Sequence, residues 1–294
     1  MIWEDKKRLN EVIYKMLINY LGNPQDVFGG ERKEINVLDF GCGYMPYLDA
    51  FISYFSQIEK VKKVNIVGVE PYVPYLFYLK EKLSKDYLRN AHPRIEITII
   101  PMSVSECNYK DLIKFSKIEK YDLITFFAPG MNPHMEEKYK YVRGVKDYYE
   151  TGRYFLGGIE KLLPEILKEN GMIFAACIPQ FVEKKTSVAK KVEDLNISNK
   201  EELNKKEVIT AISIECENEK YHIKKIEKYV VIKEGSVSIP LGISSKMLKE
   251  TLMKVNIDII KEEKNKYFEE LKMIEEEEEI PHIYKDILIG RKRK

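Results

Sequence analysis

The sequence predicts an α/β fold: a doubly wound, mostly parallel sheet with helices on both faces, interrupted once by a small α+β insertion. Three observations predict it. Short apolar runs alternate with segments of helical periodicity from Ile35 to Pro179. A glycine-bearing turn, "DFGCGY", joins the first apolar run to the segment after it. The rhythm stops at Phe181, gives way to charged and then strand-rich sequence, and resumes after Ser244.

In chain order, "WEDKKRLNEVIYKMLINYLG" predicts an amphipathic helix. Ile13, Met16, Leu17 and Tyr20 recur at helical spacing, and Gly22 supplies the stop. "NPQDVFGGERKE" reads as a turn-rich linker, so residues 1–30 form an N-terminal helical piece. "INVLDF" (Ile35 to Phe40) is the first strand. "PYLDAFISYF" is a helix with Pro46 at its first position and Leu48, Phe51, Ile52 and Phe55 as its core stripe. "VNIVGVE" (Val64 to Glu70) is the second strand and "VPYLFYLKEKL" the next helix. "IEITIIP" (Ile95 to Pro101) is the third strand, "KDLIKFSK" a short helix, and "YDLITFF" (Tyr121 to Phe127) the fourth strand. "YYETGRYFLGGIEKLLPEILKEN" predicts a helix with a break near Gly157 or Pro164. "GMIFAACIP" (Gly171 to Pro179) is the fifth strand.

Beyond it, "VEKKTSVAKKVEDLNISNKEELNKKE" is charged and poor in core residues, and "YHIKKIEKYVVIKEGSVSIP" predicts a hairpin or small sheet. The rhythm returns with "SSKMLKETLMK" as a helix, "VNIDIIKEE" as a strand, "KYFEELKMIEEEEE" as a helix and "IYKDILIGRKRK" as a strand with a basic end. The sheet domain is therefore expected over 31–180 and 245–294, with 181–244 inserted as a substrate or lid module. The Glu275 to Glu279 run reads as a solvated helix face.

The bulk numbers bound the function. A chain of 294 residues with 44% hydrophobic content can bury a full core. Lys+Arg 49 against Asp+Glu 47 gives net +2, which demands neither a nucleic acid nor an acidic membrane. No apolar run is long enough to span a bilayer, and the first residues lack the apolar core of a secretory signal. A cytoplasmic protein is the expectation. Cys42, Cys107, Cys177 and Cys216 lie far apart without a CxxC pair, and His92, His222 and His282 have no ligand spacing. Hence no metal is expected, and in a reducing cytosol no structural disulfide. The cysteines read as small buried apolar residues. Richness in Lys, Glu and Ile leans toward a thermophile's composition.

The glycine turn carries the functional signal. Such a turn lets a ligand approach the backbone, and the helix after it offers N–H groups and a positive dipole end. The dinucleotide fingerprint G-x-G-x-x-G is incomplete: the run is Gly41-Cys42-Gly43-Tyr44-Met45-Pro46. Asp39 stands just before it. Its carboxylate would repel a pyrophosphate and suits a ligand that carries an ammonium group.

At these residues the chain resembles a family. "VLDFGCG" resembles the first motif, D/E-x-G-x-G, of class I S-adenosylmethionine-dependent methyltransferases, and "NIVGVEP" resembles the second, an acid ending strand two. The likeness continues through "YDLITFF" and "LLPEILKENGMIFAA" to the last two strands. It implies a seven-stranded sheet with a final antiparallel strand, and S-adenosyl-L-methionine as cofactor. It implies that Asp39, Gly41, Cys42 and Gly43 position the cofactor. Glu70, followed by Pro71, would accept both ribose hydroxyls.

The sequence also departs from the family. Met45 replaces a frequent further glycine and is expected to narrow the pocket for the methionine tail. Where the family often has an Asp after strand three, Met102 and Ser103 stand, one to pack on the adenine face and the other to bond its edge. Of Phe126 and Phe127, one is expected in the core and the other toward the adenine or methyl pocket.

The loop "APGMNPHMEEKYKYVRGVKDYY" is expected over the active edge with Asn132, His134 and Arg143. His134 as a general base competes with an exposed or capping histidine. "APG" is not the Asn/Asp-Pro-Pro-aromatic motif of amino-methylating nucleic-acid enzymes. No catalytic residue is assigned. The expected activity is methyl transfer to an acceptor the sequence does not name, with a small molecule ahead of RNA or protein. The basic stretches "EKKTSVAKK" and "GRKRK" keep nucleic acid open as a partner. The alternative is a non-catalytic, methyltransferase-like binding protein that works through a partner. Aminopropyl transfer fits the same fold, but "FFAPG" lacks the acids it wants after strand four.

Overall fold

The computed structural model describes residues 7–30, 32–43, 45–71, 92, 94–105, 107–127, 145–177, 181–191, 208–217, 220–240, 243–278 and 284–293. For 145–154, 181–240 and 275–278 the description is of the backbone alone. The chain forms two compact units, Met1–Gln180 with Pro240–Lys294, and Phe181–Ile239.

The first unit holds β1 (Glu34–Phe40), β2 (Lys63–Val69), β3 (Ile95–Ile100), β4 (Tyr121–Phe127), β5 (Leu167–Cys177), β9 (Ile257–Lys264) and β10 (Asp286–Lys292). They make one seven-stranded sheet in the order β3-β2-β1-β4-β5-β10-β9. β1 pairs in parallel with β2 and β4, as β2 does with β3 and β4 with β5, while β10 runs antiparallel to both β5 and β9. The expected fold class is the one observed.

Burial follows position in the sheet. Central β4 is buried at all seven residues, as a strand covered on both faces must be. β3 and β9, at the two edges, stay half-covered or exposed along most of their length. The pleat sorts side chains onto two cores. Ile35 and Val37 of β1 face one core, with Ile66, Leu123 and Phe174. Leu38 and Phe40 face the other, with Val67, Ile124 and Phe126.

Helices α1 (Lys7–Leu21), α2 (Pro24–Phe28), α3 (Leu48–Ser56) and α7 (Phe268–Glu278) cover the first face. Helices α4 (Tyr109–Ser116), α5 (Val145–Ile166) and α6 (Ser245–Lys254) cover the second. Among the described residues no helix is long and apolar enough to cross a membrane.

Several local expectations need correction. The linker "NPQDVFGG" contains α2: Asn23 caps it through Gln25 N–H at 2.8 Å, and Pro24 starts it. Phe28 then packs against Tyr54 and Phe55 in the core. Pro46 is not the first residue of α3, which begins two residues later and has no side-chain cap at Tyr47. Helix α5 runs unbroken through Gly157, and Pro164, which withholds one N–H from the helical ladder, sits in its last turn, two residues before the helix ends at Ile166. β5 begins at Leu167, not Gly171, with Asn170 in the left-handed region at φ 61. The expected helix "VPYLFYLKEKL" lies outside the described residues.

The second unit is a three-stranded sheet, β6 (Phe181–Lys191), β7 (Val208–Glu217) and β8 (Lys220–Pro240), in the order β6-β8-β7. β7 and β8 pair antiparallel, with a bulge between Ser213 and Ile214. The charged "VEKKTSVAKK", read as poor in core residues, is strand β6.

Candidate functional site

The chain leaves β1 on one side for β2 and β3, then returns to β4 on the other side of β1. An open parallel sheet forms its ligand crevice at such a switch point, beyond the carboxyl ends of the strands. The glycine loop leaves β1 there.

The loop is held by its own amides. Gly41 and Cys42 N–H donate to the Val69 carbonyl at 2.9 and 3.2 Å, and Met45 N–H donates to the Cys42 carbonyl at 2.9 Å. Gly43 N–H donates to Glu70 Oε2 at 2.9 Å. With those four amides spent, the loop is not a cradle for phosphate, which needs N–H groups aimed outward. Gly41, Gly43 and Met45 have φ of 68, 54 and 47°, so the turn visits the left-handed region three times. Met45 does so without being a glycine. Its side chain, expected to narrow a pocket, is fully buried. A Cβ placed on Gly68 of β2 would lie 2.8 Å from Met45 Cε and 2.6 Å from Cys42 Sγ, so that glycine makes room for both side chains.

Asp39 lies between Gly68 and Thr125 in the sheet register. It is fully buried. Oδ1 accepts the Thr125 hydroxyl and Oδ2 the Tyr47 hydroxyl, each at 2.7 Å. Among the described residues no cation faces this carboxylate. Burial pushes its pKa up to about 7; the Tyr47 and Thr125 hydroxyls pull it down, and the negative charge of Glu70 pushes it up. Glu70, at the end of β2, is also buried. Burial, Asp39 and Glu70 push the Cys42 thiol well up, which makes it an inert filler.

The two phenylalanines ending β4 point to opposite faces, and both enter a core. Phe127 stacks on Tyr47 at 4.3 Å between ring centres and touches Phe51, Phe174 and Tyr284. Phe126 stacks on Phe40 at 5.7 Å and meets Phe155 of α5 edge-on. Phe155 also borders the loop, 3.9 Å from a Cβ placed on Gly41. Pro71, Met102 and Ser103 are half-buried along the same edge. Met102 packs against the α4–α5 core, and the Ser103 and Ser105 hydroxyls share a hydrogen bond of 2.8 Å. Asn132, His134 and Arg143 lie outside the described residues.

Sequence reasoning missed three residues here. Tyr47 and Thr125 hold Asp39. Asn10 of α1 holds the exit of the loop: its Nδ2 donates to the Pro46 carbonyl and its Oδ1 accepts Ala50 N–H, both at 2.9 Å. Asn10 is thus the cap that α3 lacks locally. Asn10 carried a signal, as a polar residue among the buried positions of α1.

At the opposite, amino edge, a cleft of about 440 Å³ is lined by Arg32, Asp122, Lys168 and Arg291 among others. Asp122 accepts Asn36 N–H at 2.9 Å and Lys168 Nζ at 2.8 Å, and Arg32 approaches at 3.7 Å. This network ties the starts of β1, β4 and β5 together. Among the described residues no cluster of His, Cys, Asp and Glu has metal-binding geometry.

No protein-family model matches the chain, and no curated protein matches it. Solved structures do resemble it. One, described as an S-adenosylmethionine dependent methyltransferase from Listeria monocytogenes, is 13% identical, with TM-score 0.43 over 99% of this chain and 100% of that one. A loganic acid methyltransferase with SAH is 8% identical, with TM-score 0.48 over 98% and 94%. The cyclase SpnF is 11% identical, with TM-score 0.41 over 97% and 80%. Likeness at this level carries no argument about chemistry, which has to come from the site.

Proposed function

We propose that the protein binds S-adenosyl-L-methionine at the carboxyl edge of its sheet and transfers the methyl group to a small-molecule acceptor. One observation carries this reading: the glycine loop spends its amides internally and is flanked by two buried carboxylates, Asp39 and Glu70. That arrangement is hostile to a phosphate and receptive to a cation bearing hydroxyl groups. The resemblance of "VLDFGCG" and "NIVGVEP" to the two cofactor motifs supports it.

When bound, the cofactor would supply a methyl group on a sulfonium sulfur, the sulfur leaving as a neutral thioether as the acceptor's nucleophile takes the methyl in line. This chain's own residues orient and exclude water. Asp39 sets a negative field beneath the loop. Glu70, oriented by the Gly43 N–H, receives the ribose hydroxyls. Met102 and Ser103 flank the adenine, and Phe155 closes the side of Gly41. The inserted unit is proposed to contribute to acceptor recognition.

Calorimetric titration with S-adenosylmethionine and S-adenosylhomocysteine tests the cofactor. Native protein is expected to bind with micromolar Kd, and Glu70→Ala to bind at least about tenfold more weakly through lost charge-assisted hydrogen bonds. Native protein that binds neither compound overturns the reading and favours the non-catalytic alternative.

A further inference from the structure

We propose that Tyr47 is a positioning residue of this site: with Thr125 it holds Asp39 as a carboxylate under the glycine loop, so that binding of a cationic ligand there is coupled to loss of a proton from Asp39. The inference rests on the cofactor reading and adds a residue and a regulation to it.

Geometry carries it. Tyr47 is the residue through which three elements meet. Its backbone precedes α3, its hydroxyl reaches back to Asp39 at the end of β1, and its ring lies flat on Phe127 at the end of β4. The hydroxyl oxygen also stands 3.4 Å from the Cys42 carbonyl, inside the loop. Loop, first strand and fourth strand are therefore fastened by one side chain. A loop with three left-handed residues needs such a fastening to keep one conformation.

The chemistry of Asp39 gives the second half. A buried carboxylate is normally paired with a cation or protonated. Among the described residues, the titratable groups that face this cluster are Glu70 at the end of β2, Cys42 from the loop, Tyr47 itself, and Tyr284 from the segment before β10, and none of these is cationic. Two neutral hydroxyls alone favour the ionised form, and they are what keeps its titration near neutral pH rather than well above it. A ligand that brings positive charge completes the pairing and expels the proton to solvent. Removing either hydroxyl makes that proton harder to lose.

The test has one arm without ligand and one with it. In the ligand-free protein, infrared difference spectra against pH are expected to show a carboxylic-acid band that is lost as pH rises through about 7, and lost at higher pH in Tyr47→Phe and in Thr125→Val. Tyr47→Phe keeps the ring on Phe127, so a folded protein is expected, checked by near-ultraviolet circular dichroism. Asp39→Asn removes the band and assigns it.

In calorimetry, native affinity for S-adenosylmethionine is expected to weaken below pH 7. Tyr47→Phe is expected to bind about three- to tenfold more weakly at pH 7, the worth of one hydrogen bond, and to recover near pH 9. A band that does not move in either variant overturns the proposal whatever the ligand does. Native binding with the same pH profile in Tyr47→Phe overturns it while leaving the cofactor reading intact. If native protein binds neither S-adenosylmethionine nor S-adenosylhomocysteine, cofactor reading and coupling fall together, and the infrared arm then reports only an isolated buried acid.

Discussion

Asp39 shows how a single residue can be costly to the fold and useful to the site. Its pKa in the native protein, about 7, lies above the ordinary 3.8. Between those values the folded chain holds a proton that the unfolded chain has released. Stability therefore falls as pH rises through that window and levels off above it, by about 1.4 kcal/mol for each pH unit of the gap. Asp39→Asn keeps shape and hydrogen-bonding capacity but removes the charge. Urea unfolding at several pH values is expected to show native stability declining from pH 5 to 7.5 and the variant's holding level, with the variant the more stable at pH 8. Parallel curves would mean that Asp39 is not the titrating group. Asp39 and Glu70 were legible in the sequence because an acid beside glycines at a strand end is a local pattern. Tyr47 and Thr125 were not, because their role exists only once β4 lies beside β1.

Among the elements, α3 is instructive at both ends. At its start the cap is Asn10, which the chain brings from α1, and a local reading instead placed Pro46 at the first position. At its end the Arg94 guanidinium donates to four backbone carbonyls, those of Ser56, Ile58, Glu59 and Val61, at 2.9–3.2 Å. The Ser56 carbonyl is the last of α3 and the other three belong to the segment that follows, so one side chain from the foot of β3 ties the helix end and its exit to the sheet. Arg94→Ala is expected to cost about 1–3 kcal/mol of stability. Arg94→Lys should recover little, since an ammonium does not reproduce the planar fork. A change below about 0.5 kcal/mol in chemical denaturation would show that water replaces the fork at no cost. The strands were legible because buried parallel strands are near-continuous apolar runs. α2 was hidden because Asn23-Pro24 reads equally as a turn or as a capped helix start, and β6 because its charge suggests solvent rather than a ladder.

For the whole molecule, the residues proposed to hold the cofactor all belong to the seven-stranded unit, while the Phe181–Ile239 unit is separately compact. Ligand at a hundredfold its Kd stabilises the state that binds it by about 2.7 kcal/mol. Hydrogen exchange with saturating S-adenosylmethionine is therefore expected to slow amides at the ends of β1, β2 and β4 and to leave β7 and β8 unchanged. Protection confined to β7 and β8 would move the ligand to the inserted unit. The second compact unit begins at Phe181, where the rhythm of the sequence changes, and ends at Ile239 rather than at residue 244; its ladder was only half visible, since β8 is apolar enough to announce itself and β6 is not.

The place of β10 has a consequence for how the protein is made. β5 and β9 are not bonded to each other; β10, which follows both in sequence, lies between them. On a growing chain the flank of β5 therefore stays open while the whole inserted unit, α6, β9 and α7 are synthesised. An unsatisfied strand flank is a template for pairing with other chains. The period of greatest aggregation risk is thus set by translation: it begins when β5 emerges and ends only when Asp286–Lys292 arrives to zip the sheet shut. A ribosome that stalls before that segment leaves a nascent protein with most of its core residues present and its sheet unclosed.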